Sequence, residues 1–163
     1  MMGARRLTRA ALLTALALIL FTVEAQIPAP VPIPGVKLGL ANIITVYAMF
    51  ALGPRDALGI LLARCILGSV FAGAVVTLLY SLSGGLLCWL VMLPLRRLLG
   101  EEQIWVCGVI CGAVHNLGQT AAAIAVFRSA AVAAYLPLLL LSGMAAGLFT
   151  GLCAQFLLRR LRK

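Results

Sequence analysis

Apolar runs interrupted only by short breaks are the feature that most limits what this chain can fold into. Of its 163 residues, 64% are hydrophobic and only 10% are charged, and the mean hydropathy is +1.15. A soluble domain carries roughly 25% charged residues. A chain with so few charges cannot form a surface that faces water. We therefore predict an integral membrane protein with a single transmembrane domain over residues 1–163.

Six apolar segments predict an all-α, polytopic membrane protein with a six-helix transmembrane bundle. A membrane span takes about 20 predominantly apolar residues. The segments cover roughly residues 7–24, 39–53, 57–72, 75–95, 104–127 and 131–157. The third and fourth could separate near Gly73 or at the sequence SLSGG, residues 81–85. Either break gives the same number of spans.

The basic residues predict how the bundle is oriented. With the N-terminus in the cytoplasm, ten of the 13 Lys and Arg residues fall at inner helix ends, Lys37 and Arg128 lie outside, and Arg64 lies within a span. This distribution satisfies the positive-inside rule. We therefore expect a multi-pass protein of the cytoplasmic (inner) membrane with both termini in the cytoplasm. A cleaved signal peptide over the first segment is the alternative, and it would leave five spans.

The net charge of +9 does not point to nucleic acid. The charges stand at the ends of apolar runs, whereas single-strand binding needs a basic groove interleaved with aromatic side chains. No nucleic-acid partner is expected, and membrane lipids are expected to surround the bundle.

A proline-rich segment follows the first span and should lie outside the membrane. Proline removes a backbone donor and fixes φ, so this segment is predicted to be extended and stiff. A structural tether is one interpretation. We favour a lid over a cavity that opens outward, because the intervening positions are apolar where a plain connector would be polar. The candidate gating residues are Gln26, Pro28, Pro30, Pro32, Pro34 and Gly35.

Polar side chains inside the membrane are candidate ligand contacts, because burying them there is unfavourable. The densest group is HNLGQ, in which His115 and Gln119 share a helix face and Asn116 points about 100° away. Interhelical hydrogen bonding is the structural alternative. Arg64 is either a snorkelling side chain or a functional one. The full candidate binding set is Lys37, Asn42, Arg64, Tyr80, His115, Asn116 and Gln119.

Small residues at four-residue spacing predict faces where helices approach closely. Gly108 and Gly112 form such a face in the fifth span, and glycines at 143, 147 and 151 form one in the last. Ala11 and Ala15 form a third in the first span. That pair could pack within the bundle or against a partner in the membrane.

Catalytic equipment is sparse, so we do not expect an enzyme. The chain holds four acidic residues, of which Glu101 and Glu102 are adjacent. It has no two acidic clusters that could hold Mg²⁺ against a diphosphate. It has no GxxxxGK[ST] loop for nucleotide phosphates. Its five cysteines lie in apolar runs and are expected to be small buried hydrophobes. No metal site and no cofactor is predicted.

Three motifs resemble one known family: PIPGVKLGLANI, LLYSLSGGLL and HNLGQ. They resemble the Gx transporter family, also labelled heptaprenyl diphosphate synthase component I. That family is in turn similar to the substrate-binding S components of energy-coupling factor (ECF) transporters. The resemblance implies a six-helix subunit that binds a small-molecule solute from outside. Residues 25–38 would form its gating loop.

The resemblance also implies partners. Ala11 and Ala15 match the small-residue pair that meets the ECF coupling subunit, and separate ATPases would supply the energy for transport. The enzyme label fits poorly, because the acidic clusters of such a synthase are missing. The alternatives are a non-catalytic membrane subunit associated with heptaprenyl diphosphate or quinone biosynthesis, or an assembly partner of a membrane redox complex.

Overall fold

A computed structural model describes residues 3–27, 38–73 and 75–161. Within these ranges every regular element is a helix, as predicted. Short 3₁₀ helices at Glu101–Gln103 and Ala130–Tyr135 precede the last two α-helices. The six α-helices are α1 (Ala4–Gln26), α2 (Leu40–Ala51), α3 (Pro54–Ala72), α4 (Val75–Leu98), α5 (Ile104–Phe127) and α6 (Leu136–Leu161).

Four of these helices, α1, α4, α5 and α6, are long and apolar enough to cross a membrane. The α2 helix has only 12 residues, eight of them buried, and α3 carries three charged residues. Large apolar side chains cover the outside of the bundle; Phe71 is 74% exposed and Val70 is 70% exposed. Such a surface suits contact with lipid chains. The chain is therefore a membrane-embedded helical bundle.

The break between α3 and α4 lies at Gly73. This residue has φ +62° and ends α3 in the left-handed conformation, which a glycine adopts without strain. The alternative break at residues 81–85 is wrong, because this stretch lies inside α4. Its glycines serve close packing instead. A Cβ atom on Gly85 would lie 2.7 Å from Leu61, nearer than real Cβ atoms come to a neighbour.

Five helices form a closed ring, in which α2 packs on α3, α3 on α4, α4 on α5, α5 on α6, and α6 on α2. The α1 helix lies outside this ring and packs across α2 and α3. Only Ala17 of α1 is buried. The ring encloses a cavity lined by the candidate residues Asn42, His115, Asn116 and Gln119, and α1 leaves most of its surface outside.

The α5–α6 pair makes the most extensive helix contact of the bundle. Its glycines face one another, as the four-residue spacing predicted. A Cβ atom on Gly143 would lie 2.6 Å from the carbonyl oxygen of Gly112, and one on Gly151 would lie 2.8 Å from Cα of Trp105. The two backbones are therefore in direct contact, and no larger side chain fits between them without a shift.

The end of α1 corrects the predicted gating loop. Gln26 is the last residue of α1, so it belongs to the helix and not to the loop. The loop prediction on Pro28, Pro30, Pro32, Pro34 and Gly35 lies outside the described residues. Just before it, the Glu24 carboxylate accepts hydrogen bonds from the backbone N–H groups of Gly39 and Leu40 at 2.5 and 3.0 Å. This contact caps the start of α2 and fixes it beside the end of α1.

Candidate binding cavity

A cavity lies inside the helix ring and extends from Leu38 and Gly39, at the start of α2, to Met92 of α4 and Gly108 of α5. All five ring helices contribute to its walls. It holds about 60 Å³, space for only a few water-sized groups. Most of the lining is apolar or glycine. The polar lining residues are Asn42, Thr45, His115, Asn116, Gln119 and Thr150.

The three HNLGQ side chains all line this cavity, but they do different things. The Gln119 side-chain nitrogen lies 3.0 Å from Nε2 of His115, so the two residues form one hydrogen-bonded pair on the face of α5. The Asn116 side chain is buried and donates to the carbonyl oxygen of Leu139 on α6. Asn116 therefore also links α5 to α6, which is the structural alternative that the sequence left open for this group.

Asn42 and Arg64 meet at the opposite wall. Nη2 of Arg64 donates to Oδ1 of Asn42 at 3.4 Å, and Asn42 lines the cavity. Arg64 is only 5% exposed. Its guanidinium group therefore does not snorkel to the end of the bundle but stays inside, one hydrogen bond away from the cavity.

Thr45 is a cavity residue that sequence analysis missed. It follows Asn42 by three positions on α2, so the two share a helix face. Its hydroxyl oxygen is buried and has no hydrogen-bond partner in the described part of the chain. The spacing to Asn42 was a usable signal, but a lone threonine in an apolar helix usually bonds its own backbone.

Tyr80 and Arg64 are the described binding candidates that do not line the cavity. Tyr80 lies on α4 and is partly exposed, whereas Arg64 reaches the cavity only through its hydrogen bond to Asn42. The prediction on Lys37 falls outside the described residues. Tyr80 was predicted as a binding residue only because it carries a hydroxyl group. Which face of α4 it occupies depends on how α4 packs against α3 and α5.

A second concave surface lies between α1 and α3, which we call the α1–α3 groove. It has a volume of about 500 Å³, and the predicted docking residues Ala11 and Ala15 are on its wall. Opposite them, α3 presents Gly59 and Ala63. The described residues thus leave the small side chains of α1 facing open space.

An ion pair closes one end of this groove. Nε of Arg6 donates to Oδ2 of Asp56 at 2.7 Å. The Asp56 side chain is 1% exposed and that of Arg6 is 49% exposed. The pair fastens the start of α1 to the first turn of α3. Sequence analysis missed it, because the two residues are 50 positions apart.

Metal ligands are not assembled in the described residues, where no group of three His, Cys, Asp or Glu side chains could hold an ion. Cys88 and Cys111 do line the cavity, and the Cys88 thiol donates to the carbonyl oxygen of Cys111 at 2.9 Å. Both are buried, as expected for small hydrophobes.

Comparison with known proteins gives one family over most of the chain. A family model described as heptaprenyl diphosphate synthase component I matches residues 13–157. This range includes α2 to α5 in full and most of α1 and α6. No curated protein and no solved structure gives a significant match.

Proposed function

The chain belongs to the heptaprenyl diphosphate synthase component I family, and from this premise we propose that it is a non-catalytic membrane subunit that binds a small solute. The observation that carries the proposal is that polar side chains from separate helices meet in one cavity. Asn42, His115, Asn116 and Gln119 come from two helices far apart in the chain, and all four line one cavity. Polar side chains that served only as contacts between helices would not need to share an enclosed space.

As the leading role we propose a transport subunit similar to an ECF S component, which takes its solute from outside. The open α1–α3 groove supports this role, because Ala11 and Ala15 line it where a partner helix could approach closely. Active transport would require a coupling subunit and ATPases, since the chain has no nucleotide-binding loop of its own.

The proposed orientation places both termini in the cytoplasm and the cavity near the outer side. It rests on the asymmetry of the Lys and Arg residues. A reporter that works only in the cytoplasm should then be active when it is fused after residue 163, and a reporter that works only outside the cytoplasm should be inactive there. The proline-rich segment would cover the cavity from outside, and its role as a lid stays a prediction.

A second candidate is a membrane subunit that assists heptaprenyl diphosphate or quinone biosynthesis. The family description favours it, since that description names one component of a synthase. In this role the groove would hold a synthase partner, and the catalytic residues would lie on that partner.

One experiment tests the proposal and separates the two roles. The full chain is purified from its native membrane in mild detergent, and mass spectrometry identifies both the retained small molecules and the co-purified proteins. We expect a retained solute, and about a tenfold to hundredfold loss of affinity for it in Gln119→Ala, because a buried ligand group loses its partner. Leu117→Ala, two residues away on the exposed face of α5, is the matched control.

The identity of the partner decides between the roles. Co-purified ATPases and a coupling protein would support transport, whereas a soluble prenyl synthase would support the second role. A chain that retains no small molecule, and whose Gln119→Ala variant behaves as wild type in every measurement, would contradict solute binding.

A further inference from the structure

Arg64 carries a buried positive charge that lacks a negative partner among the described residues. Its side chain is 5% exposed, and within the described ranges its one hydrogen bond goes to the neutral amide of Asn42. The Nε atom is buried and has no hydrogen-bond partner among the described residues. Burying a charge is unfavourable unless it is paired, so buried arginines normally face a carboxylate.

None of the chain's four acidic residues serves as that partner. All four lie in the described ranges, where the ion pairs are Arg6 with Asp56 and Arg159 with Glu102. Glu24 binds the backbone at the start of α2. Glu101 lies in the 3₁₀ helix before α5, next to Glu102. No acidic side chain of the protein therefore neutralises Arg64.

Asn42, which contacts Arg64, and Thr45, one turn further along α2, also present hydrogen-bond donors for which no acceptor is seen among the described residues. Oδ1 of Asn42 accepts from Arg64, which leaves the amide N–H groups of Asn42 to donate elsewhere. One helical turn away on the same face, the Thr45 hydroxyl is buried without a partner in the part of the chain that is described. Guanidinium, amide and hydroxyl together match an anion, which accepts hydrogen bonds and carries the missing charge.

We propose that the solute of this cavity carries an oxyanion, a carboxylate or a phosphate, which binds Arg64 together with Asn42 and Thr45. The inference rests on the proposed solute binding and names the chemical class of that solute. Asn42 and Thr45 line the cavity, and Arg64 stands directly behind Asn42. A small shift of the Asn42 side chain would bring the guanidinium group to the ligand.

The opposite wall limits the rest of the solute. The His115–Gln119 pair lies across the cavity and offers both a donor and an acceptor. With about 60 Å³ of space between the walls, the solute is small or enters with only its polar end. The part of the solute inside the cavity is therefore compact, with an oxyanion at the α2–α3 side and a polar group at the α5 side.

The test uses the full-length protein in detergent micelles and three matched variants. Retained compounds are identified by mass spectrometry, and thermal stability is measured with potassium acetate, potassium phosphate or the neutral isostere acetamide, at constant ionic strength. The variants are Arg64→Gln, Arg64→Lys and the control Arg97→Gln, which removes the same charge from an exposed position at the end of α4.

We expect a retained compound with a carboxylate or phosphate group, and stabilisation by the matching probe, acetate or phosphate, but not by acetamide. Arg64→Gln should weaken binding about tenfold to a hundredfold, because an ionic hydrogen bond to the ligand is lost. Arg64→Lys should keep part of the affinity, and Arg97→Gln should keep all of it. Without ligand, Arg64→Gln should melt no lower than wild type, since it removes an unpaired buried charge.

The outcomes separate this inference from the proposed function. A retained compound that is neutral or cationic, or that binds Arg64→Gln as tightly as wild type, overturns the anion inference and leaves solute binding in place. A ligand-free Arg64→Gln protein that melts lower than wild type assigns Arg64 a structural role and also overturns it. A protein that retains nothing and responds to none of the probes overturns both.

Discussion

The α5–α6 interface and the α1–α3 groove share one sequence pattern but differ in how closely their helices pack. Each has small residues four positions apart, Gly108 and Gly112 in the first and Ala11 and Ala15 in the second. Between α5 and α6 the backbones touch, and a Cβ atom on Gly112 would overlap the carbonyl group of Gly143. Between α1 and α3 a groove of about 500 Å³ remains.

The difference shows what the small-residue pattern does and does not predict. It predicts a face that allows close approach, but not whether the approaching helix belongs to the same chain. Leu7, Leu18 and Leu67 line the α1–α3 groove beside its small residues. At the α5–α6 face, a Cβ atom on Gly108 or Gly112 would meet backbone atoms of α6 instead. The first interface is therefore complete, and the second is open.

The largest effect is expected for Gly112→Ala. A single added methyl group must displace the backbone of α6 at Gly143, and such overpacking costs about 3 kcal/mol of the free energy of unfolding. Reversible unfolding in mixed detergent micelles measures it. A change below about 1 kcal/mol would mean that α5 and α6 do not touch at this position.

The positions of the helices were predictable from the sequence, but the contacts between helices were not. Apolar runs gave the approximate bounds of the helices, since hydrophobic length acts locally. Gly73 was one of two possible breaks between α3 and α4, and its left-handed conformation makes it the observed one. The extension of α1 to Gln26 was missed, because the predicted first span ended at residue 24 and Gln26 was assigned to the loop. The contact of Glu24 with the N–H groups of Gly39 and Leu40, 15 and 16 residues ahead, was not predicted either.

The cavity was predictable only where polar residues cluster in the sequence. HNLGQ stood out in an apolar span, and its three polar side chains all line the cavity. Thr45 was not found, because one threonine in a helix carries no distinctive pattern. The contact between Arg64 and Asn42 depends on how α2 lies against α3, and neither residue's sequence neighbours specify that packing.

A smaller effect is expected for Arg6→Gln, which removes the ion pair at the end of the groove. Asp56 has a side chain that is 1% exposed and would lose its charged partner. We expect a lower unfolding midpoint than in wild type, with a shift smaller than that of Gly112→Ala. Because Arg6 is half exposed, the shift should shrink in 1 M NaCl.

Arg5→Gln is the matched control for this pair. It removes the same charge from the neighbouring exposed residue, for which no ion pair is seen in the described chain. Equal midpoints for the two variants would mean that the Arg6–Asp56 contact does not fasten α1 to α3.

Gly59→Ala should raise the free energy of unfolding, whereas Gly112→Ala should lower it. Gly59 faces the groove, and a Cβ atom there would meet nothing within 4 Å. The substitution therefore adds helix propensity without a clash and should stabilise the protein by about 0.5–1 kcal/mol. The same unfolding measurement checks it. A destabilised Gly59→Ala protein would show that α1 closes onto α3 and that the groove is filled by the chain itself.

The smallest effect on stability is expected for Ala15→Leu, although this variant distinguishes the open groove from the closed α5–α6 interface most directly. Ala15 is exposed on the groove wall, so the free energy of unfolding should change by less than about 0.5 kcal/mol. The added side chain would nevertheless occupy the space that a partner helix needs. If the groove is a docking surface, co-purification of the coupling or synthase partner should fall sharply. Leu16→Ala, on the next exposed position of α1, should leave the partner's yield unchanged. Normal partner recovery with Ala15→Leu would exclude the groove as the docking surface, whereas a large loss of stability would mean that Ala15 packs inside the bundle as Gly112 does.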